Sequence, residues 1–395
     1  MRTRILLAAA VVVALAFYGC RKTPVSAPEP TATNTPNATQ TIEALAGAIG
    51  AVNATNTAVA ALTQTCVAGS FTPTFTPTAT ATVTASPTAT TTPTHLPTPT
   101  FTSTPYYIYL TKWGSAGTGN GQFSNPSGIS LDPSAGRVYA ADSGNNRVQE
   151  FDLSGGYIGQ WGAAGTGNGQ FSYPYGILAD SGLGRVYVTD YNNNRIEIFD
   201  SNGVYVSQFG SAGGTNGLFS YPTGVSANDE SGRIYAADAA NNRVQVFDIN
   251  GSYLSQYGTS GSGNGQFSLA YAVAVDSSTG YSYAVDYNHC RVEIFSQAGS
   301  YIGQFGTQGA GQGQLSFPCG IACDHMNGRV YVADTNNSRV EVFDLAGNYI
   351  AQMGSSGSGD GQLSFPRGVC AEPSTNRIYV TDTNNQRIMV FKGYN

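Results

Sequence analysis

Short stretches in which apolar and polar residues alternate recur along most of the chain, and turn-forming residues separate them. In residues 121–168, an apolar stretch at 129–131 is followed by alternating stretches at 137–142, 147–151 and 157–161. A period of two is typical of β-strands that bury one face, and the Gly, Asn, Asp, Ser and Pro residues between the stretches favour turns. The pattern predicts four short antiparallel strands per unit, which is the composition of a propeller blade.

The same unit returns six times, each copy 48 residues after the last. An Asp, with an Arg five residues later, marks each copy. These pairs are Asp142 and Arg147, Asp190 and Arg195, Asp238 and Arg243, Asp286 and Arg291, Asp334 and Arg339, and Asp382 and Arg387. A period of about 20 to 50 residues indicates a solenoid, a propeller or an array.

The two ends of the repeat region favour a closed ring over a linear array. The aromatic residue that ends the predicted fourth strand has an additional copy at Trp113, with no unit in front of it, whereas the last unit stops at Phe391 after its third strand. We therefore expect the strand that ends at Trp113 to complete the last blade. The sequence predicts an all-β, six-bladed β-propeller of four-stranded antiparallel blades, closed by an N-terminal strand.

The repeated phrases resemble those of a known family. The second unit contains YPYGI at 173–177, GRVYVTD at 184–190 and NNRIEIFD at 193–200, and corresponding phrases recur over residues 106–395. In these phrases the chain resembles NHL repeats. The resemblance implies a six-bladed propeller. It implies no single function, because this scaffold serves RNA binding, protein binding, sensor ectodomains and a few lyases.

Residues 1–20 predict export. Arg2 and Arg4 precede an apolar run at 5–18 that has the length of a secretory signal and is short for a membrane span. The end of this run, FYGC at 17–20, resembles a bacterial lipobox, which implies that Cys20 is acylated after cleavage. The alternative is an ordinary signal peptide cut nearby. Both readings place the mature protein outside the cytoplasm, either anchored by lipid at the cell envelope or surface, or secreted.

Residues 21–105 predict an extended stalk between this signal and the repeats. The segment is dominated by Thr, Pro, Ala and Ser, a composition that buries too little apolar surface to offset the entropy of ordering. Within it, residues 41–66 show a heptad-like spacing that could form a short helix and pair two chains. Because charges at the flanking positions are missing, we expect this match to be fortuitous and do not expect an oligomer through the stalk.

Charge argues against a nucleic-acid partner. The formal net charge is −6 and only 11% of residues are charged, so the chain lacks the clustered Lys and Arg that neutralise phosphates. The repeated Asp and Arg occur six times, whereas a catalytic site needs one constellation. We therefore interpret each pair as structural, with a carboxylate that accepts bidentate bonds from the guanidinium and joins the second strand to the third.

Two further repeated features suggest ligand sites and are better explained by structure. An acidic or amide residue closes each predicted first strand, at Asp132, Asp180, Asn228, Asp276, Asp324 and Glu372. These side chains could suggest calcium, but turn residues follow each of them and hydrogen bonds to the turn account for them. The glycine-rich links, such as 165–169, lack the following helix of a phosphate-binding loop. We expect no metal and no cofactor.

Function is expected where the copies differ. In a propeller, the links between blades and the loops between second and third strands open on one face. The residues after the loop proline, which is Ala270 in the fourth unit, are Ser127, Tyr175, Thr223, Tyr271, Cys319 and Arg367. The residues after the repeated Asp are Ser143, Tyr191, Ala239, Tyr287, Thr335 and Thr383. Four tyrosines, an arginine and small hydroxyls around one mouth suit recognition of a protein, peptide or glycan. The alternative is that they are ordinary surface loops.

The fourth unit departs most from the pattern, because His289 and Cys290 replace the pair of Asn residues before Arg291. With Tyr287, His289 could form the site of an envelope lyase or hydrolase. We favour an envelope or cell-surface binding module whose candidate contacts are Tyr175, Tyr191, Tyr271, Tyr287, His289, Cys319 and Arg367. In this hypothesis no residue is catalytic, and the protein contacts the membrane only through the lipid on Cys20. A structural spacer is a third interpretation.

Overall fold

The computed structural model describes residues 106–394, which form six four-stranded antiparallel sheets. The predicted signal peptide, the lipidation site at Cys20, the stalk at 21–105 and the helix at 41–66 lie outside the described residues. Within 106–394, no helix is both long enough and apolar enough to span a bilayer.

Strand β1 (Tyr106–Trp113) comes first in the chain and is followed by blades 1 to 3. Blade 1 contains β2 (Pro126–Asp132), β3 (Arg137–Asp142), β4 (Arg147–Asp152) and β5 (Tyr157–Trp161). Blade 2 contains β6 (Pro174–Asp180), β7 (Arg185–Asp190), β8 (Arg195–Asp200) and β9 (Tyr205–Phe209). Blade 3 contains β10 (Pro222–Asn228), β11 (Arg233–Asp238), β12 (Arg243–Asp248) and β13 (Tyr253–Tyr257).

Blades 4 to 6 repeat this order. Blade 4 contains β14 (Ala270–Val275), β15 (Ser282–Asp286), β16 (Arg291–Phe295) and β17 (Tyr301–Phe305). Blade 5 contains β18 (Gly320–Asp324), β19 (Arg329–Asp334), β20 (Arg339–Asp344) and β21 (Tyr349–Met353). Blade 6 contains β22 (Pro366–Glu372), β23 (Arg377–Asp382) and β24 (Arg387–Tyr394). The first strand of each blade is the innermost and faces the central axis.

Strand β1 completes blade 6, as the sequence predicted. It pairs antiparallel with β24, with Tyr106 opposite Tyr394 and Trp113 opposite Ile388, so the strand order across this blade is β1-β24-β23-β22. Burial alternates along β1, and Tyr107, Tyr109 and Trp113 are on its half-buried face. The residues nearest the two ends of the described chain therefore share one sheet, and the ring is closed.

The apolar core lies between blades. At one interface, Tyr139 and Val148 of blade 1 pack against Phe171, Ile177 and Phe199 of blade 2. The interface between blade 6 and blade 1 is built in the same way, and its buried residues include Tyr379, Ile388, Val390, Ile129 and Phe151. Because each sheet buries both faces against its neighbours, the propeller is stabilised by six such interfaces and depends on closure.

The repeated Asp and Arg form a buried network, but the bidentate geometry expected from the sequence is wrong. In blade 1, only Arg147 Nε donates to the Asp142 carboxylate, at 2.7 Å from Oδ2. The two terminal nitrogens of Arg147 donate to the carbonyl oxygens of Thr118, Gly119 and Gln122 in the link that leads into the blade. The guanidinium therefore fastens the link to the blade as well as β3 to β4.

The loop between second and third strands ends in a left-handed residue that also joins neighbouring blades. In blade 1 this residue is Asn146, with φ 54°, and its Oδ1 accepts a hydrogen bond from the Tyr173 N–H of blade 2 at 2.7 Å. In blade 6 it is Gln386, whose Oε1 accepts from the Asn125 N–H of blade 1 at 2.7 Å. This bond crosses the closure of the ring.

The side chains that close the first strands bond to their own turns, as the sequence predicted. Asp132 Oδ1 accepts from the Ala135 N–H at 3.0 Å, and Asp180 Oδ1 accepts from the Leu183 N–H at 2.9 Å. Across residues 106–394, no cluster of three or more His, Cys, Asp or Glu side chains has the geometry to hold a metal ion.

Candidate binding site at the axial mouth

The two sets of variable positions lie together on one face of the propeller, which is called the mouth face below. In blade 1, Ser127 Oγ lies 2.6 Å from Ser143 Oγ. In blade 4, the rings of Tyr271 and Tyr287 stack with centroids 4.8 Å apart. In these two blades, the first-set residue therefore contacts the residue after the repeated Asp of its own blade. Thr223, Ala239, Thr335 and Thr383 are small, buried members of the same two sets.

The innermost strands approach one another closely around the axis. A Cβ at Gly176 in blade 2 would overlap the carbonyl oxygen of Thr223 in blade 3. The six strands leave an axial cavity of about 70 Å³, whose lining includes Tyr175, Tyr271 and Arg367. This space is small, so a ligand larger than a few atoms has to lie on the mouth face and cannot enter the channel.

Two tyrosines cover part of the axis. Tyr271 Oη donates to Tyr175 Oη at 2.9 Å, although the two residues belong to blades 4 and 2. Burial raises the pKa of both phenols well above the usual value. Both hydroxyls are therefore neutral at physiological pH, and they offer hydrogen bonds without charge.

Arg367 stands beside these tyrosines on the mouth face. Its Nη1 donates to Tyr173 Oη at 3.1 Å. Its guanidinium carbon lies 5.9 Å from the ring centroid of Tyr175 and 5.7 Å from that of Phe365. The charge is therefore held between aromatic faces, an arrangement that is worth about 1 kcal/mol at partly exposed sites.

Aromatic rings continue from this centre across most of the mouth face. Ring centroids lie 4.9 Å apart for Tyr221 and Tyr191, 6.0 Å for Tyr191 and Tyr175, 5.5 Å for Tyr175 and Tyr271, and 5.2 Å for Tyr287 and Phe317. The aromatic track consists of Tyr173, Tyr175, Tyr191, Tyr221, Tyr271, Tyr287, Phe317 and Phe365. Blade 1 contributes none of these rings, because its corresponding residues are Asn125, Ser127 and Ser143.

Half of this track was missed by the sequence analysis. Tyr173, Tyr221, Phe317 and Phe365 each occupy the position directly before the loop proline, which was not singled out. The sequence did indicate this position, since it is aromatic in four of six units. It was overlooked because a residue before proline was considered only as part of a turn.

The backbone at this position is strained for an aromatic residue. Tyr173, Tyr221, Phe317 and Phe365 have φ of 62°, 54°, 48° and 57°, in the left-handed region. Blade 1 has the same backbone with Asn125, at φ 51°. Asn tolerates this conformation, whereas a bulky L-residue there costs about 1–2 kcal/mol. Residues held in such conformations cluster at functional sites.

Cys319 lies in the wall of the mouth and does not reach its surface. The residue is buried, and its Sγ contacts the Phe317 carbonyl oxygen at 3.8 Å. Burial raises the pKa of the thiol, so it is not a thiolate at neutral pH. Cys319 therefore contributes to the shape of the axial cavity beside Tyr175 and Tyr271.

His289 and Cys290 occupy structural positions of the repeat. In other blades, an Asn three residues after the repeated Asp donates to that carboxylate, as Asn193 Nδ2 does to Asp190 Oδ2 at 2.7 Å. In blade 4, His289 Nδ1 lies 2.8 Å from Asp286 Oδ2 in the same place. The buried Cys290 has a left-handed backbone conformation, and its Sγ accepts a hydrogen bond from the Phe317 N–H at 3.3 Å. It thus replaces the Asn that joins blade 4 to blade 5.

The sequence matches two family descriptions. The NHL repeat matches residues 123–151 and 219–247, and a 6-bladed beta-propeller family matches residues 322–394. No curated protein matches the chain.

Solved structures share the fold at low sequence identity. A structural genomics protein of unknown function from Bacteroides thetaiotaomicron aligns with a TM-score of 0.57 and 16% identity, over 73% of this chain and 76% of that one. An auxiliary nutrient binding protein from the same organism gives 0.54 and 16%, over 74% and 77%. A Xanthomonas campestris gluconolactonase gives 0.53 and 14%, over 70% and 88%. These likenesses concern the fold alone. The chain thus carries NHL repeats in a six-bladed β-propeller.

Proposed function

We propose that this protein is an exported binding module that recognises a protein, peptide or glycan through the aromatic track on its mouth face. The observation that carries the proposal is the placement of Tyr173, Tyr221, Phe317 and Phe365 in a left-handed conformation that disfavours them. Four aromatic residues kept at a position where blade 1 has Asn125 indicate selection for their side chains. Tyrosine and phenylalanine rings supply rigid contact area, and tyrosine adds a hydrogen bond.

The proposal includes a location outside the cytoplasm. The signal at 1–20 favours export, and acylation at Cys20 would anchor the propeller to the cell envelope or surface through the Thr- and Pro-rich segment at 21–105. The mouth face would then be available to ligands outside the cytoplasm.

Tyr221→Asn tests the proposal, because it installs in blade 3 the residue that blade 1 already has. We expect unchanged or higher thermal stability, since Asn tolerates φ near 54°. We expect ligand affinity to fall at least about 10-fold, since Tyr221 is 45% exposed at one end of the track. The measurements are a melting curve and binding of the full chain to an array of glycans and peptides.

Tyr281→Ala is the matched control, because Tyr281 is 37% exposed and lies in a turn on the opposite face. Its binding profile should equal that of the unmodified protein. Equal losses in both variants, or no array binding by the unmodified protein, would contradict recognition through the mouth face.

A hydrolase or lyase centred on His289 is the second candidate function. It is favoured by the hydrogen bond between His289 Nδ1 and the buried Asp286 carboxylate, since a carboxylate that orients a histidine is a common catalytic pairing. Tyr287 lies next to it on the mouth face. The same bond is also explained by the Asn that other blades place there.

His289→Asn separates these explanations. Asn restores the donor found at Asn193 and Asn337, so we expect the melting temperature to stay within about 2 °C and array binding to be retained. We also expect no difference from the unmodified protein in the hydrolysis of a panel of lactones and aryl esters. Measurable hydrolysis that disappears in His289→Asn would establish the enzyme and remove the structural explanation.

A further inference from the structure

Arg367 differs from the other arginines of the mouth face because it has no carboxylate partner. The six repeated arginines each place Nε within 2.9 Å of their own Asp. Among residues 106–394, no Asp or Glu oxygen lies within 4.0 Å of the Arg367 guanidinium, and its hydrogen bond is to Tyr173 Oη. A guanidinium has five N–H donors, so most of its donors face solvent or a ligand.

The surroundings of Arg367 supply no counter-charge. The closest titratable groups are the phenols of Tyr173, Tyr175 and Tyr271 and the thiol of Cys319. Burial raises the pKa of Tyr175, Tyr271 and Cys319, which keeps these three groups neutral at physiological pH. A half-buried cation between aromatic rings is thus left uncompensated in the free protein, and an anion that reaches it gains more than it would in water.

We infer that the ligand is a glycan that presents one acidic sugar, whose carboxylate binds Arg367 while neighbouring sugar rings lie on the aromatic track. This inference rests on the proposed function and specifies its ligand. A planar carboxylate matches the fork of a guanidinium and accepts two parallel hydrogen bonds. Tyr173 and Tyr271 place half-buried hydroxyl groups around the same point, which suit the polar edge of a sugar, whereas Tyr175 is buried and bonded to Tyr271.

The number of charges favours a single acidic sugar over a polyanion. A polyuronate or a nucleic acid would need several cations along the track. The repeated arginines are occupied by their own Asp, and Lys112 pairs with Asp360 at 2.6 Å. The chain as a whole carries a net charge of −6, which repels a polyanion. Among residues 106–394, the other arginines without a carboxylate partner begin second strands, away from the mouth face. On the mouth face, Arg367 is therefore suited to one carboxylate in an otherwise neutral ligand.

The shape of the mouth favours a glycan over a peptide. Peptide side chains are usually anchored in pockets, or the peptide backbone adds to a sheet edge. At the axis the cavity holds only about 70 Å³, and the mouth face is made of loops and links, whereas the outer strand edges face sideways. Shallow aromatic surfaces with hydroxyl groups suit flat amphipathic rings.

The test uses the full-length protein and immobilised oligosaccharides in matched pairs. One member of each pair ends in glucuronic, galacturonic or N-acetylneuraminic acid, and the other is the same glycan with that carboxylate reduced to an alcohol. Oligogalacturonate and peptides with a free or an amidated C-terminus complete the set. We expect at least one acidic member to bind about 10- to 100-fold more tightly than its reduced twin, the range of a charge-assisted hydrogen bond.

Two variants assign this preference to Arg367. Arg367→Gln should remove the preference and change the melting temperature by only about 2–4 °C, because the charge has no carboxylate partner and its contacts with the aromatic faces are worth about 1 kcal/mol. Arg367→Lys should keep the charge, lose the two-pronged geometry and retain an intermediate preference. Equal binding of both twins, or a preference that survives Arg367→Gln, would overturn the inference and leave the aromatic binding surface in place.

Three further outcomes of the binding experiment would also overturn the inference. Binding of free but not amidated peptides through Arg367, with no acidic glycan bound, would replace the sugar by a peptide terminus and overturn the inference. Preference for oligogalacturonate over all single-acid glycans would overturn the single-charge argument. No binding to any probe would overturn this inference and the proposed function together.

Discussion

Deletion of residues 106–114 from the full chain is expected to make unfolding of the propeller less cooperative and to lower its melting temperature by at least about 15 °C. The lost strand buries one face of Tyr107, Tyr109 and Trp113 and pairs along its length with β24. Burying each large side chain contributes roughly 1.5–3 kcal/mol, so the total loss approaches the 5–15 kcal/mol that holds a typical domain together. Circular dichroism and differential scanning calorimetry would show a broad transition at least about 15 °C lower.

The geometry of β1 supplies a rescue experiment. Tyr106 lies opposite Tyr394, and their rings stack with centroids 5.2 Å apart. A copy of residues 106–114 appended after Asn395 through a short Asn-Gly turn would therefore return to the same place as the second strand of a hairpin with β24. We expect this rearranged chain to recover most of the lost stability. A deletion variant that melts like the unmodified protein would show that closure does not hold the ring together.

The architecture was predictable because the sequence contains six copies of the same unit. One unit with four alternating stretches is an uncertain assignment, but six in-register copies average out local exceptions such as Ser296, which replaces the usual Asp in blade 4. The closing strand was also predictable, since Trp113 keeps the 48-residue step of the fourth strands. The structure confirms both, and the residues that specify them are those that repeat.

The arrangement of the mouth was harder to predict because it depends on contacts between non-repeating residues. The hydrogen bond from Tyr271 to Tyr175 crosses from blade 4 to blade 2, and Arg367 reaches Tyr173 across 194 positions of the sequence. A repeat alignment places these residues on one ring but does not state which of them meet. The bidentate Asp and Arg geometry failed for a related reason, since the sequence does not show that link carbonyl groups compete for the guanidinium.

His289 shows why the copies have to be compared by their contacts. A lone histidine in a divergent unit suggests catalysis, and the structure shows that its Nδ1 also occupies the place of an Asn amide in the shared network. Comparing the six copies atom by atom, and not residue by residue, identifies which differences preserve a hydrogen bond. By this comparison, the differences that add new surface are confined to the aromatic track and Arg367.

The same comparison identifies three carboxyl groups that the fold accommodates poorly. On the third strand, two residues after the repeated Arg, blades 1 and 3 have Gln149 and Gln245. Gln149 Nε2 donates to the Gln122 carbonyl oxygen at 2.7 Å and to Asp142 Oδ2 at 3.1 Å, while its Oε1 accepts from the Gly121 N–H. Blades 2, 4 and 5 place Glu197, Glu293 and Glu341 there. A carboxylate has no hydrogen with which to replace either donated bond.

Each of these glutamates is surrounded by both signs of charge. Glu197 lies 2.8 Å from Arg195 Nη2, faces the Asp190 carboxylate and adjoins the phenol of Tyr205. Glu341 faces Arg339, Asp334 and Tyr349 in the same way. Glu293 faces Arg291, Asp286 and Tyr301, and Asp286 also bonds His289. Both carboxyl oxygens of Glu293 are buried without a hydrogen bond among residues 106–394.

Burial outweighs the attraction of the arginines and raises the pKa of all three carboxyl groups from 4.5 to about 7. Between these two pH values the folded protein binds more protons than the unfolded chain. The free energy of unfolding therefore falls as the pH rises from about 4.5 to about 7. Above about pH 7, the contribution of the three glutamates no longer changes with pH. At 1.36 kcal/mol per pKa unit, each site costs on the order of 3 kcal/mol at pH 8.

The triple substitution Glu197→Gln, Glu293→Gln and Glu341→Gln is accordingly expected to raise the melting temperature by about 15 °C at pH 8 and by much less at pH 5. Each new amide can make the two donated bonds that Gln149 makes in blade 1. Gln149→Glu is the matched reverse variant, and it should lower the melting temperature at pH 8 and leave it nearly unchanged at pH 5. Calorimetry from pH 5 to pH 8 measures both. A gain that is equal at the two pH values would mean that the glutamates are ionised throughout this range and that their arginines, not protons, satisfy them.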